Sequence, residues 1–159
     1  MRRIFIGIDL PDEARAKVTS LIEKLKKEIS TVYVSPSKLH VTIKFLGNTP
    51  LSDDKIVQAA NSVELNQRII ISGLGGFPNE IRARVVFADV KSDLSGVYSS
   101  LCGALGVEPE KSFHPHVTLC RKRNFVDITK HRIDFDPIEF EAKKLTVYNS
   151  DYATYSRLN

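Results

Sequence analysis

A four-residue pattern occurs twice in this chain, as His40-Val41-Thr42-Ile43 and as His116-Val117-Thr118-Leu119, with nearly half of the 159 residues lying between the copies. Both copies sit in runs rich in β-branched and apolar residues, which read as strands. Side chains alternate along a strand, so each histidine shares a sheet face with its threonine, while the valine and the following Ile or Leu point to the other face. Each strand therefore offers an imidazole and a hydroxyl on one side and packs an apolar pair on the other. The flanks repeat as well. Strand, helix and strand lead into the first copy, and strand, helix and strand from Arg84 through Arg121 carry the second. This predicts two similar lobes related by an approximate two-fold axis, with the His-x-Thr faces opposed across a cleft.

The remaining elements fit that frame. Arg3 to Leu10 reads as a strand. From Pro11 onward Ala14, Val18, Leu21, Ile22, Leu25 and Ile29 recur at helical spacing, with the proline tolerated in a first turn. Residues 31–34 and 39–46 read as extended, broken by Ser35-Pro36-Ser37. Ser52 is placed to cap a second helix carrying Ile56, Val57, Ala60 and Val63, followed by a strand from Arg68 to Leu74 that ends at Gly75-Gly76-Phe77-Pro78. A strand from Arg84 to Val90 precedes a third helix from about Asp93, with Leu94, Val97, Tyr98, Leu101 and Leu105 inward and Gly106 as its stop. Val117 to Arg121 is extended, and 144–149 with 152–158 alternate like a hairpin. Strands and helices mixed in this order make an α+β fold packed in layers, expected as one domain over residues 1–159.

Composition narrows the class. Apolar residues make up 42% and charged residues 26%, ordinary values for a globular domain and unlike a disordered or fibrous chain. No run approaches the ~20 apolar residues of a spanning helix, and the opening apolar stretch is cut by Asp9 and Pro11, so it reads as a strand of the mature protein rather than a leader. Cys102 and Cys120 match neither a disulfide framework nor a metal spacing, which fits a reduced, cytoplasmic protein. The formal charge of +4 permits an anionic partner. Basic residues cluster at Arg121, Lys122, Arg123, Lys130, His131 and Arg132, although such a cluster is most often a solvated loop.

One His-x-Thr on a strand is weak evidence of anything, because such a histidine is usually just a hydrogen-bonded sheet residue. Two copies on comparable strands are harder to attribute to chance. Two imidazoles flanking one centre can hold opposite protonation states near neutral pH, one removing a proton while the other donates one. The threonine hydroxyls can donate to nonbridging oxygens and stabilise developing charge. A phosphodiester fits this demand: its hydrolysis needs an activated water, a protonated leaving oxygen and donors to the phosphoryl group.

At these residues the sequence resembles the two-histidine (2H) phosphoesterases, and within them the RNA 2′,3′-cyclic phosphodiesterase family, formerly called 2′-5′ RNA ligases. The likeness spans essentially the whole chain: Arg3 to Pro11 resembles the opening strand, Leu39 to Gly47 the first motif, then Gly75-Gly76-Phe77-Pro78, Arg84-Val85-Val86-Phe87 and Phe113 to Arg121 follow in order. His114 stands where arginine is frequent, Cys120 where a small residue is usual and Phe87 where tryptophan is common. The resemblance implies a bilobal α+β fold, two lobes of antiparallel sheet with outer helices around a central groove, working without metal or cofactor. It implies His40 as proton donor to the leaving 3′ oxygen, His116 as proton acceptor from water, and Thr42 and Thr118 as phosphate ligands, giving a 2′-phosphomonoester. Arg121 and His114 are candidate RNA contacts, though strict alternation turns Arg121 away from His116 and Thr118 unless the strand bends. The implied partner is RNA with a 2′,3′-cyclic phosphate end, with no membrane, no obligate protein partner and a monomeric state. Reversible 2′-5′ ligation uses the same site.

Two rival readings follow from the residues. His114-Pro115-His116 resembles the His-x-His pairs of metal hydrolases, but further ligands are not evident, and Asp89 and Asp93 show no reason to join. A binding module that captures an RNA end without turnover is the other, against which stands the retention of both histidines and both threonines, since Arg or Lys would serve simple anion binding. Phe45, Phe77, Phe113, Tyr148 and Tyr152 are candidates to stack on bases, with most expected in the core and at most two in the groove. Both cysteines are expected to be packed and inert.

Overall fold

The computed structural model describes residues 2–131, 133–151 and 154–159; Arg132 and Tyr152 lie outside the described residues. In chain order the elements are β1 (Ile4–Asp9), α1 (Asp12–Lys26), β2 (Val32–Tyr33), β3 (His40–Gly47), α2 (Asp53–Ser62), β4 (Gln67–Phe77), β5 (Ala83–Val90), α3 (Ser95–Leu105), β6 (His116–Val126), β7 (Ile138–Ala142), β8 (Thr146–Asp151) and β9 (Thr154–Arg157). Each helix forms for local reasons. Pro11 leads α1, Asp12 and Glu13 occupy its first turn and Lys24 and Lys26 its last, which suits the helix dipole. The Ser52 side chain accepts from the Lys55 N–H to cap α2, and Gly106 ends α3 with a left-handed φ of 70°.

The described strands form one antiparallel sheet in the order β7-β4-β5-β6-β3-β1-β8-β9, with the short β2 added on β6. The motif strands β6 and β3 are its centre. They are joined by one pair, Val41 with Val117, the equivalent residues of the two motifs. The approximate two-fold axis passes between them. On one side β3-β1-β8-β9 and on the other β6-β5-β4-β7 form the two lobes, with α1 leading from β1 towards β3 and α3 leading from β5 to β6.

Alternation along the motif strands sorts the faces. Val41, Ile43, Val117 and Leu119 are buried in the main core, which also holds Val18, Leu21 and Leu25 of α1, Ile56 of α2 and Leu101 and Leu105 of α3. His40, Thr42, His116 and Thr118 are partly open on the opposite face. Both strands also break alternation at the same place. Gly7 pairs with Thr42 but Ile6 with Lys44, leaving Ile43 as an extra residue; Phe87 pairs with Thr118 but Val86 with Cys120, leaving Leu119 extra. These are matched β-bulges, which re-aim the side chains beyond them. Several elements differ from the sequence reading: β4 runs on through Gly75 and Gly76 to Phe77. β7, read from no sequence signal, pairs with β4, and β6 runs on to Val126.

Cys102 and Cys120 are free and buried. Burial pushes the Cys120 thiol up to about 11, so it is protonated at neutral pH and unreactive. No helix is long and apolar enough to cross a membrane among the described residues.

Gly7 is needed because β1 crosses very close to β3: a Cβ there would lie 2.5 Å from the Val41 carbonyl oxygen and 3.3 Å from the His40 ring. Backbone cannot swing aside as a side-chain tip can. Gly7→Ala is therefore expected to destabilise the fold by about 1–3 kcal/mol through overpacking, measured as a lowered denaturation midpoint at unchanged m-value; an unchanged midpoint would show that the strands part without cost.

Candidate active site

The open faces of β3 and β6 floor a groove of about 730 Å³ lined by His40, Thr42, His116 and Thr118 together with Arg3, Phe5, Val34, Lys38, Phe45, Arg121, Ser150 and Tyr155. The register set by Val41 and Val117 places His40 across from Thr118 and Thr42 across from His116, when continued one residue either way. The four motif residues thus meet as a crossed quartet around the axis. Arg121 joins them, because the Leu119 bulge returns it to the face that strict alternation denies it. The equivalent bulge at Ile43 does the same for Phe45, which is 53% exposed.

Backbone carbonyls fix both imidazoles in one tautomer. Nδ1 of His40 lies 2.7 Å from the Lys38 carbonyl and Nδ1 of His116 lies 2.7 Å from the His114 carbonyl. A carbonyl only accepts, so each Nδ1 carries hydrogen and donates it, leaving Nε2 as the atom free to gain or lose a proton. Nε2 of His40 is 2.9 Å from Thr42 Oγ1, whose hydroxyl donates to it when the ring is neutral.

Each imidazole is also boxed by aromatic rings. Around His40 stand Phe5 at 4.7 Å, Tyr148 at 5.3 Å and Tyr155 at 5.9 Å between centroids. Around His116 stand Phe77 at 5.0 Å and Phe87 at 5.1 Å, with the His114 ring at 6.2 Å. Tyr148 pairs with Phe5 on β1 and Phe77 with Val85 on β5, so Tyr148 and Phe77 occupy equivalent places, while the other two rings do not: Val85 is the equivalent of Phe5, and Gly7 that of Phe87. Room for Phe87 comes from Gly75, where a Cβ would meet the ring at 2.5 Å.

Burial is the main reason that both imidazoles resist protonation. It pushes His40 down to about 4, outweighing the Lys38 carbonyl and the charge of Asp9, and it lowers His116 against the pull of the His114 carbonyl. An aspartate faces each histidine across the ladder, Asp9 opposite His40 and Asp89 opposite His116. Asp9 accepts from Arg15 at 2.9 Å, Arg157 at 3.0 Å and the Tyr148 hydroxyl at 3.1 Å. Asp89 takes Lys91 at 2.8 Å and His114 at 2.9 Å. In both carboxyls burial acts upward, and these partners more than reverse it, leaving each below the ordinary range. Arg15 further holds the carbonyls of Leu10 and Leu39, tying α1 to the residue just before His40.

The sequence candidates therefore divide. His40, Thr42, His116, Thr118 and Arg121 come together, and of the described aromatic candidates Phe45 lines the groove with them. His114 does not line the groove; it packs at the edge of Phe77 and Phe87 and pairs with Asp89 outside it. Asp89, which showed no reason to join in the sequence, stands beside the second motif because β5 pairs with β6. Tyr148 is buried, and Phe113 stacks on Tyr98 in the core at 4.2 Å. Phe5, Tyr155, Arg3, Lys38, Asp9 and Arg15 were missed by sequence reasoning. Only Asp9 carried a findable signal, as the charged residue closing an otherwise apolar strand. Among the described residues no three His, Cys, Asp or Glu side chains converge as a metal site would require.

The comparisons with known proteins agree with this geometry. The profile of the 2′-5′ RNA ligase superfamily matches residues 10–153. A protein of Thermotoga maritima named RNA 2′,3′-cyclic phosphodiesterase is 29% identical over 163 residues, covering 93% of this chain and 86% of its own. One of the same name from Archaeoglobus fulgidus is 30% identical over 129 residues, covering 75% and 72%. In fold, TT0787 of Thermus thermophilus matches with a TM-score of 0.78 at 24% identity, and E. coli LigT, solved with 3′-AMP, with 0.76 at 23%; each match covers 99% of this chain and 95% of the other. The chain belongs to the 2′-5′ RNA ligase superfamily, the two-histidine phosphoesterases.

The depressed histidines have a measurable signature. With His40 near 4 when folded and about 6.5 when unfolded, the unfolded chain binds the extra proton between those values, so stability rises with pH across that window and is lost on acidification. Urea titrations from pH 7 to pH 4 should show a slope that His40→Gln reduces, by at most about 1.4 kcal/mol per pH unit. Identical pH dependence in the two proteins would place His40 in water rather than in its aromatic box.

Proposed function

We propose that this chain is an RNA 2′,3′-cyclic phosphodiesterase that opens the cyclic end to a 2′-phosphomonoester, acting as a single-domain monomer in the cytoplasm. The observation that carries the proposal is the pair of imidazoles held through Nδ1 by backbone carbonyls in the same tautomer, lining one cationic groove together with Thr42 and Thr118. The names borne by its relatives support it.

The chemistry follows from the quartet. The phosphate sits over the axis, with Thr42 and Thr118 hydroxyls donating to its nonbridging oxygens, and Arg121 adding a cation. Nε2 of His116 takes a proton from a water as the oxygen of that water bonds to phosphorus. The bond from phosphorus to the 3′ oxygen breaks, and that oxygen receives the proton held on Nε2 of His40. Each histidine ends in the other's starting state, and the proton returns through solvent. With an RNA 5′ hydroxyl in place of water, the same steps form a 2′-5′ linkage.

The negative phosphate is also what makes His40 a usable acid, since a nearby anion favours the imidazolium that burial disfavours. In the free protein both histidines lie below 6.5, so the singly protonated form is most populated on the acid side of neutrality. The pH profile of kcat/KM should therefore be bell-shaped with its maximum below about 6.5, and the basic limb of kcat should lie at higher pH than that of kcat/KM. Coincident basic limbs would show that substrate charge does not tune the pair.

The direct test is conversion of an oligoribonucleotide ending in a 2′,3′-cyclic phosphate, in EDTA, with the 2′- and 3′-phosphate products resolved. Formation of the 2′-phosphate is expected. His40→Ala and His116→Ala should each lower turnover by about 10²–10⁴-fold, and Thr42→Ala and Thr118→Ala by less, about ten- to a hundredfold. A single-histidine variant with near-normal turnover would defeat the mechanism, and tight binding of the end without conversion would make the chain a binding module.

A further inference from the structure

We infer that the RNA strand leading into the groove crosses a second surface, built from Phe125, Arg82 and Arg84 at the far end of β5 and β6, so that the protein takes single-stranded oligonucleotides ahead of mononucleotides. This rests on the function proposed above. Beyond Arg121 the ladder changes register: Val85 pairs with Arg121 but Ala83 with Val126, so β6 spends three extra residues and arches outward. The arch is anchored where Val126 packs on the small cluster of Ala83, Val86, Cys120 and Ile128. Phe125 stands on it 43% exposed.

Two guanidinium groups are held against that ring, Arg82 at 4.4 Å and Arg84 at 5.0 Å from its centroid. Arg84 is fixed there by donating from Nε and Nη2 to the Arg123 carbonyl, at 3.3 and 3.0 Å. Among the described residues Arg82, Arg84, Arg121 and Arg123 form no ion pair with any carboxylate, while Arg68 and Arg157 do. The patch is thus a part-exposed ring with two uncompensated guanidinium groups over it. That combination suits a chain alternating anions with π faces, which is single-stranded nucleic acid: arginines neutralise phosphates and the ring stacks a base. A duplex hides its base faces and fits less well. β6 connects the patch to the groove. Arg121 lines it, and Phe125 lies four residues further along the same strand, at most about 13 Å away.

The experiment compares kcat/KM for cytidine 2′,3′-cyclic phosphate with that for oligoribonucleotides of two, four and eight residues ending in the same group, in wild type, Phe125→Ala and the double variant R82Q/R84Q. Wild type should gain about tenfold or more from mononucleotide to octamer at low salt. Phe125→Ala should lose about fivefold or more of that gain with mononucleotide turnover within about twofold of wild type. In the double variant the salt dependence of octamer kcat/KM should weaken by about 1.4 in log–log slope, from two phosphate contacts. Equal rates at all lengths in wild type, unchanged octamer rates in both variants, or parallel loss on mononucleotide and octamer would each overturn the inference. If no cyclic phosphate is turned over at all, the proposed function fails by itself. Binding of a fluorescein-labelled octamer with a 3′-phosphate then decides about the surface: about fivefold weaker binding by Phe125→Ala upholds it, and equal binding overturns it.

Discussion

The site depends on a single backbone pairing, that of Val41 with Val117. It joins β3 to β6 at the middle of the sheet, and it joins equivalent residues of the two motifs. It sets the register of the motif residues: continued one residue to either side, it puts each histidine across from the other strand's threonine. The valine side chains point into the shared core, so the seam is held by apolar burial on one face while its polar groups open on the other. Neither lobe carries a complete site. A shift of one residue at the seam would exchange every groove residue for a core residue, and the buried valines, Ile43 and Leu119 hold the register against that.

The second shared device is the boxing of each imidazole among rings whose positions are themselves fixed by other strands. Phe5 and Tyr148 come from β1 and β8, Phe77 and Phe87 from β4 and β5. These rings exclude water, which costs the charged imidazole its hydration, while the carbonyls of Lys38 and His114 and the aspartates across the ladder return part of that loss. The balance leaves two imidazoles whose protonation a bound anion would favour. Among the described residues no carboxylate lines the groove, and Arg3, Lys38 and Arg121 favour entry of the anion itself.

Much of this was legible in the sequence because it followed from periods. The alternation around the two His-x-Thr copies gave the faces, and the helical spacing from Ala14 to Leu25 and from Leu94 to Leu105 gave the elements that cover the core. What was not legible came from departures from period and from long-range pairing. A bulge at Leu119 has no local sequence mark, yet it alone decides that Arg121 enters the groove. β7 is short and flanked by charged residues, and forms because β4 offers it an edge. Asp89 gained its place only through the pairing of β5 with β6, and His114, adjacent in sequence to the second motif, was turned aside by the same pairing. The rings of Phe5 and Tyr155 reach His40 from opposite ends of the chain, and no window of sequence contains both.

The matched bulges have a further consequence. Two-fold related groups present the same atoms from either direction, and a phosphodiester also looks much the same from its two ester sides, so the quartet by itself cannot tell a 2′ oxygen from a 3′ oxygen. Direction has to be written by residues that break the symmetry. The bulges bring one such pair into the groove at equivalent positions, the ring of Phe45 on one strand and the guanidinium of Arg121 on the other. Just behind them, the equivalent positions Lys44 and Cys120 are a cation paired with Glu110 and a neutral buried thiol. The chain thus uses duplication to assemble its chemistry and divergence at the next residue pairs to give that chemistry a polarity.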